Sequence, residues 1–275
     1  MSASERQPVV TFTTDFGLQD HYAGTMKGVV LSRCPSAKLV DISHDIAAFS
    51  VYAAAYTIDQ AAPYFPASTI HVIVVDPGVG TARKALLLEA LGQYFIAPDN
   101  GVLSMIAERD GHARARELSN RDLWLPTPSS TFHGRDVFAP VAGALASHAA
   151  KPEAVGPPLT RIEMLPGLKP ERAASGAWQG RVLSVDHFGN AITNFRSYEF
   201  SQLSDGHFEI GIGESGITEF HRTFNDAPRG HCFAYFGSSG YVEVGMNQGH
   251  AAEHLRARPG DALTLRLHEQ AILFA

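Results

Sequence analysis

A chain of 275 residues has room for two domains or one large one. With 45% hydrophobic and 18% charged residues, its composition is that of a globular protein with a real core, not of a disordered or fibrous one. The formal net charge of −6 provides no basic stripe and argues against a nucleic-acid partner.

Met1 to Gln7 is polar, and no apolar run approaches the roughly 18 residues of a membrane span, so neither a signal peptide nor a membrane segment is expected. Pro8 to Thr13 predicts a first buried strand, leading into Thr14-Asp15-Phe16-Gly17. Tyr22, Met26, Val29 and Val30 recur at helical spacing and predict a helix from Tyr22 to about Arg33, closed by Pro35. Cys34 and Cys232 are too few and too far apart for a disulfide framework, which fits a reducing, cytoplasmic compartment. A second strand is expected over Lys38 to Ile42, ending in the run Asp41-Ile42-Ser43-His44-Asp45. Ser50 then caps an alanine-rich helix, Val51 to Ala62, which Pro63 ends.

The next stretch organises the chain. The strand His71 to Val75 carries four consecutive β-branched residues, Val72 to Val75, suited to a strand buried on both faces. It runs into Asp76-Pro77-Gly78-Val79-Gly80-Thr81-Ala82-Arg83, a carboxylate followed by a tight turn and an arginine. Strand, helix, strand, helix, strand predicts a parallel α/β sheet with right-handed crossovers. Ala85 to Glu89 and Tyr94 to Ala97 predict a hairpin about Gly92, followed by a sharp turn at Pro98-Asp99-Asn100-Gly101. Ser130 to Asp136 opens a helix expected from about Val137 to His148.

From Lys151 to Gly180 the composition shifts to Pro, Gly and Glu without a sustained period, as in a linker or a wandering connection. Beyond it lie short strand-like runs: Arg181 to Val185, Ala191 to Phe195, His207 to Ile212, Cys232 to Phe236, Tyr241 to Gly245, Ala262 to His268 and Ala271 to Phe274. The expected fold is therefore α/β, with an N-terminal parallel-rich sheet flanked by helices over residues 1–170. A smaller antiparallel, β-barrel-like C-terminal domain is expected over residues 177–275.

Three acids, Asp15, Asp41 and Asp76, stand at predicted strand ends, and parallel strands would gather them on the sheet edge where α/β folds bind ligands. A carboxylate in a Gly turn, such as Asp15, can accept both hydroxyls of a ribose diol while Phe16 lines a base or sugar face; the same residues also suit an Asx turn before the helix. Arg83 cannot act as a base and is suited to orienting a carboxylate or polar ligand. His133 is the natural proton acceptor or positioning group near neutral pH. His44, Asp45, Asp76, His133 and Asp136 could also ligate a hard metal, but no His-x-x-x-His, Cys-x-x-Cys or Asp-x-Asp spacing supports that reading. The glycines after Asp76 lack the third Gly of a dinucleotide fingerprint and the Gly-Lys-Ser/Thr of a phosphate loop.

In the second domain, Asp186-His187-Phe188-Gly189-Asn190 is a hairpin-like turn whose acid and amide also suit an amino-acid head group. Phe236-Gly237-Ser238-Ser239-Gly240 is a second polar glycine loop, able to read a purine edge through main-chain groups.

Assembled in order, the chain resembles the S-adenosyl-L-methionine hydroxide adenosyltransferases, relatives of the fluorinase and chlorinase enzymes. The resemblance rests on Thr14-Asp15-Phe16-Gly17, Val75-Asp76-Pro77-Gly78-Val79-Gly80, Ala97-Pro98-Asp99-Asn100-Gly101, Phe132-His133-Gly134-Arg135-Asp136, Phe188-Gly189-Asn190 and Tyr235 to Gly240. It implies hydrolysis of S-adenosyl-L-methionine to adenosine and L-methionine, with no cofactor, by a homotrimer whose sites lie at subunit interfaces. Asp76, Arg83 and His133 would activate water and Asp15 would bind ribose. Asp186 and Asn190, with Asp20, would hold the methionine. Phe224, Ser238 and Gln248 would contact adenine, and Phe16, Phe132, Gly134 and Phe188 fall in the substrate-binding blocks. The halogenating relatives lack the Arg83–His133 pair, and the compact stretch from Arg83 to Tyr94 has no space for the extra loop associated with fluorinase, so hydroxide is favoured over halide. A halide-dependent adenosyltransferase and a non-catalytic adenosyl-ligand sensor are the alternatives.

Overall fold

The computed structural model describes residues Gln7 to His268, and the chain divides after Leu165 into two compact units. In the first, β1 (Val9–Thr14), α1 (Tyr22–Arg33), β2 (Lys38–Ser43), α2 (Val51–Ala61) and β3 (Ile70–Val74) follow in the predicted order. Ser50 caps α2 as expected, its hydroxyl accepting from the Ala53 amide at 3.3 Å. The hairpin is β4 (Ala85–Ala90) and β5 (Gln93–Pro98), and α3 (Ser104–Arg109) and β6 (Arg114–Glu117) come after it. Neither of these last two is legible in the sequence, since each is too short for a period to show.

The seven strands of this sheet run β2-β1-β3-β5-β4-β6, with the two-residue β7 (Pro158–Leu159) at the far edge. β2, β1, β3 and β5 are parallel, while β4, β6 and β7 are antiparallel to their neighbours. Every residue of β3 is buried. Val72 and Val74 join Val10, Phe12, Met26 and Val30 in a core on one face; Ile73 and Val75 join Ala54, Ile58, Leu86 and Phe95 on the other. The unbroken β-branched run thus serves two cores at once, each fully buried side chain contributing about 1.5–3 kcal/mol.

Two expectations for this unit need correction. The helix predicted over Val137 to His148 is a π-helical turn, Gly134–Phe138, running into α4 (Ala139–Ala146). Pro140 has no N–H to give the Asp136 carbonyl, which accepts instead from the Leu125 amide at 2.9 Å. The stretch from Lys151, expected to be a linker or a wandering connection, is in its first half no linker but a connection packed on the sheet. It makes a 3₁₀ turn at Pro152–Val155, adds β7 to the sheet, and returns to give Asp99 Oδ1 the Glu163 amide at 2.8 Å. Strands of two residues carry no periodic signal, and their order comes from pairing with chain already folded.

The second unit is antiparallel. β8 (Glu171–Arg172) and β9 (Trp178–Val185) begin it, followed by β10 (Ala191–Arg196), β11 (Phe208–Ile212), β12 (Ser215–Ile217), β13 (Cys232–Phe236) and β14 (Tyr241–Met246). The short helix α5 (Ala251–Leu255) and β15 (Ala262–Leu267) complete it. The order β12-β11-β15-β9-β10-β14-β13 is closed further by a bridge from Phe220 to Ala234 of β13, giving a nearly closed, barrel-like sheet. Its interior is filled by Val182, Phe195, Phe208, Ile210, Val242, Val244 and Leu265. The predicted last strand, Ala271 to Phe274, lies outside the described residues.

Candidate active site

β1 and β3 pair in parallel register, Thr14 beside Val74. The residues that follow, Asp15 and Asp76, therefore leave the sheet at the same edge, as predicted. Asp41 does not join them. It pairs with Phe12 inside the ladder and is engaged by Lys27 Nζ at 2.6 Å and by His44 Nε2 at 3.0 Å. Lys27, then His44, holds its carboxyl below the usual range against an opposing desolvation.

The turn after Asp76 brings Arg83 back onto it. The Arg83 guanidinium grips the carboxylate with two parallel bonds, Nε to Oδ1 at 2.9 Å and Nη2 to Oδ2. Both side chains are nearly buried, at 9% and 5% exposure. Gly80 makes the turn possible: it has φ +78°, and a Cβ there would stand 2.5 Å from the Ser130 carbonyl oxygen. That close approach docks the Asp76 loop on the segment that carries His133.

Arg83 Nη2 also lies 2.9 Å from His133 Nδ1. The His133 loop is tied down by the buried Asp136, whose Oδ2 accepts the Ser129 amide at 2.8 Å and hydroxyl at 2.9 Å, and whose Oδ1 accepts Arg135 Nε at 2.6 Å. Asp136 is thus a structural anchor. Burial, and next the Arg83 charge, hold the His133 pKa below the ordinary 6.5.

Asp15, Phe16, Val74, Asp76, Phe132, His133 and Gly134 line one cavity of about 320 Å³, with Tyr22, Phe49 and Thr131. Phe16, Tyr22 and Phe132 pack edge to face or tilted, with centroids 5.2 to 5.9 Å apart, and form an apolar wall. Gly134 lies under that wall, where a Cβ would come within 3.0 Å of Met26 Sδ. Asp15 Oδ2 accepts the Phe49 amide at 2.9 Å. Burial raises the Asp15 pKa, and the neighbouring Asp76 charge adds to the rise. Asp20 is exposed and does not line this cavity. Among the described residues, no group of three or more His, Cys, Asp and Glu is placed to hold a metal ion.

In the second unit, Asp186 organises its own loop. Oδ1 accepts the amides of Phe188 and Asn190 at 3.0 and 2.8 Å, and Oδ2 accepts Asn190 Nδ2 at 2.8 Å. Gly189, at φ +86°, passes so close to His250 that a Cβ would meet its ring at 2.3 Å. Asn190 Oδ1 and the edge of Phe224 both lie over Gly245, each 3.0 Å from where a Cβ would stand. Asp186, Asn190 and Phe224 therefore form one patch, with Phe188 beside it and 74% exposed. Ser238 and Gln248 are exposed loop residues, and the hydrogen bonds that hold the cluster together involve neither of them.

One group here escaped the sequence reading. Buried Glu243 accepts from the Tyr235 hydroxyl and, at 3.2 Å, from Ser239 Oγ, and burial raises its pKa. Its Oε1 would touch a Cβ at Gly237, so it underpins the Phe236–Gly240 loop. Glu243 lies between the core-facing Val242 and Val244, on the opposite face of β14, and a lone acid in so apolar a strand is the signal that could have exposed it.

An α/β unit with a carboxylate–guanidinium–imidazole cluster at its strand ends, followed by a β unit with its own polar loops, defines a two-part protein with a ligand cavity at the sheet edge. The chain belongs to the SAM hydroxide adenosyltransferase family: the model of its N-terminal domain matches residues 10–156 and that of its C-terminal domain residues 180–264. The chain is 39% identical over 262 residues to an (R)-S-adenosyl-L-methionine hydrolase of Salinispora tropica, covering 93% of this chain and 97% of that protein. It is 27% identical over 290 residues to a fluorinase of Actinoplanes sp., covering 94% and 97%. The crystal structure of an uncharacterized conserved protein from Thermotoga maritima superposes with a TM-score of 0.81 at 38% identity, covering 93% of this chain and 99% of the other.

Proposed function

We propose that this protein is a hydrolase that converts S-adenosyl-L-methionine and water to adenosine and L-methionine. The observation that carries the reading is Arg83, bonded at once to Asp76 and His133 on the wall of a cavity that Asp15 also lines. Similarity to the Salinispora hydrolase supports the substrate, at higher identity than the fluorinase.

The sulfonium is already a good leaving group, so the protein has to place a water in line behind C5′ and take its proton. As the water oxygen bonds to C5′, the C5′–S bond breaks and its electron pair neutralises the sulfur, releasing the methionine thioether. Arg83 uses one lone pair on each Asp76 oxygen, and the remaining lone pairs accept the water's proton. His133, with Nδ1 accepting from Arg83, carries its hydrogen on Nε2 and orients rather than deprotonates. Positioning of this kind is worth roughly 7–11 kcal/mol of barrier in favourable cases. Asp15 receives the ribose diol, with Phe16, Phe132 and Gly134 closing the sugar face. The reaction, so drawn, calls on no cofactor.

The division of labour belongs to the same proposal: residues 1–170 supply ribose and water contacts, and residues 177–275 supply adenine and methionine contacts. Asp186 and Asn190 suit the methionine head group, with Asp20; Phe224, Ser238 and Gln248 suit the adenine, and Phe188 belongs to the same substrate-binding loop as Asp186. A cytoplasmic homotrimer, in which a second copy completes each site, agrees with the 71% and 69% exposure of Phe49 and Leu18 near Asp15. No helix among the described residues is long and apolar enough to cross a membrane, and the net charge of −6 does not suit nucleic acid.

Chromatography of purified protein with S-adenosyl-L-methionine, with and without chloride, tests the function. Adenosine and methionine in equal amounts, indifferent to chloride, are expected. A chlorinated nucleoside would assign the chain to halide transfer, and bound but intact substrate would make it a sensor.

A further inference from the structure

The run Asp41-Ile42-Ser43-His44-Asp45 has no place in the chemistry above, yet it carries a buried histidine hydrogen-bonded to the residue before Asp15. The His44 side chain is 2% exposed. Its Nε2 lies 3.0 Å from Asp41 Oδ1, and its Nδ1 lies 2.8 Å from Thr14 Oγ1. Nδ1 and the threonine hydroxyl share a hydrogen bond, whereas Nε2 faces the Asp41 carboxylate at ion-pair distance without hydrogen-bond geometry. Asp41 is held in turn by Lys27 of α1 at 2.6 Å.

Thr14 is the residue before Asp15, and its hydroxyl also accepts the Phe16 amide at 3.3 Å. The backbone around His44 repeats the grip. Its carbonyl accepts the Gly17 amide at 2.8 Å, and the Ile46 amide reaches the Thr14 carbonyl at 3.3 Å. The segment then ends at Phe49, whose amide bonds Asp15 Oδ2 at 2.9 Å. His44 is therefore the joint between the Thr14–Gly17 turn and the Ala48–Phe49 segment, two walls of the cavity.

We propose that His44, held by Asp41 and Lys27, is a positioning residue that sets the Asp15 carboxylate square to the two ribose hydroxyls of the substrate. The inference rests on the reading of Asp15 as the ribose-binding acid. A hydrogen bond to a charged group is worth roughly 10- to 100-fold, and only a carboxylate held in one orientation collects both from a vicinal diol.

The test compares kcat and KM of the full-length protein on S-adenosyl-L-methionine and on its 2′-deoxy analogue. Wild type favours the natural substrate by roughly 10- to 100-fold in kcat/KM. His44→Ala is expected to shrink that preference about tenfold, mainly through KM, and His44→Asn, which keeps a polar atom facing Thr14, to restore part of it. Thr14→Val cuts the same chain with an isosteric side chain and gives the same result should His44→Ala not fold. An unchanged preference in His44→Ala and Thr14→Val, with Asp15→Ala abolishing it, overturns the role of His44 and leaves the ribose reading standing. An unchanged preference in Asp15→Ala removes the ribose reading, and this inference with it.

Discussion

Arg83 Nη2 lies 2.9 Å from His133 Nδ1. A guanidinium has only donors, so the imidazole nitrogen accepts, and His133 is held in one tautomer as a neutral ring. Protonating Nδ1 breaks that contact and sets two cations face to face. The activity is therefore expected to fall on the acid side as His133 protonates, at a pH below the ordinary 6.5 because burial and Arg83 both lower its pKa. Arg83→Met removes the cation and should move that acid limb to higher pH, which a kcat/KM profile between pH 4 and 8 would show (roughly the span in which His titrates). An acid limb that stays in place contradicts the coupling.

Asp76 is the proton acceptor in the proposed reaction. Asp76→Asn keeps the shape and, through its carbonyl oxygen, one of the two Arg83 bonds, but it loses the other and the base, and is expected to lower kcat by about 10²–10⁴ with little change in substrate affinity. Single-turnover assays with titration calorimetry on the same protein would separate the two effects. Full hydrolytic activity in this variant defeats the assignment.

The Gly80 backbone decides whether the Asp76 loop meets the His133 segment. Gly80→Ala places a Cβ against the Ser130 carbonyl at an unfavourable φ of +78°, so both strain and displacement follow. A loss of about 1–3 kcal/mol of stability with reduced kcat is expected. Gly17→Ala is the control: φ is +66° and nothing lies within 4 Å of its Cβ, so only the conformational cost of roughly 1 kcal/mol remains. Denaturant unfolding of both would measure the difference.

His71 predicts a pH-dependent stability. It is buried in β3, bonded to the Thr11 hydroxyl at 2.7 Å through Nδ1 and 3.3 Å from Gln93 Oε1 through Nε2, and stacked on Phe95. Burial lowers its pKa from 6.5 to about 4, against an opposing bond to Gln93. Between those values the unfolded chain takes up a proton that the folded one does not. Stability is full above about pH 6.5 and is lost as pH falls toward about 4, by about 3 kcal/mol in all. Thermal melts across this range should show the slope, flattened in His71→Gln.

Local elements were legible because their signals are local. Ser50, the alanine run and Pro63 delimit α2 to within a residue, and Tyr22, Met26 and Val30 mark α1 with both its ends. β6 was not legible: Arg114-Ala115-Arg116-Glu117 has no apolar alternation, and it is a strand because β4 offers it an open edge. The π-turn at Gly134 was hidden for a related reason, since the free Asp136 carbonyl needed a partner, Leu125, that only folding supplies. Among candidate acids, Asp15 and Asp76 line the cavity as expected, while Asp41 turns to Lys27 and His44, a pairing invisible until β2 lies beside β1.

Local sequence was enough for the order β1-α1-β2-α2-β3, the two strand-end carboxylates and the glycine turns that follow them. These depend on φ/ψ preferences and side-chain periodicity within a few residues. Only the tertiary structure decided that Arg83 bridges Asp76 to His133, fifty residues further on, and that His44 braces the turn of Asp15. Such contacts depend on parallel register and on the Ser130 segment closing over Gly80. Both are set by burying two cores at once, a sum over the whole unit that no short stretch of sequence contains.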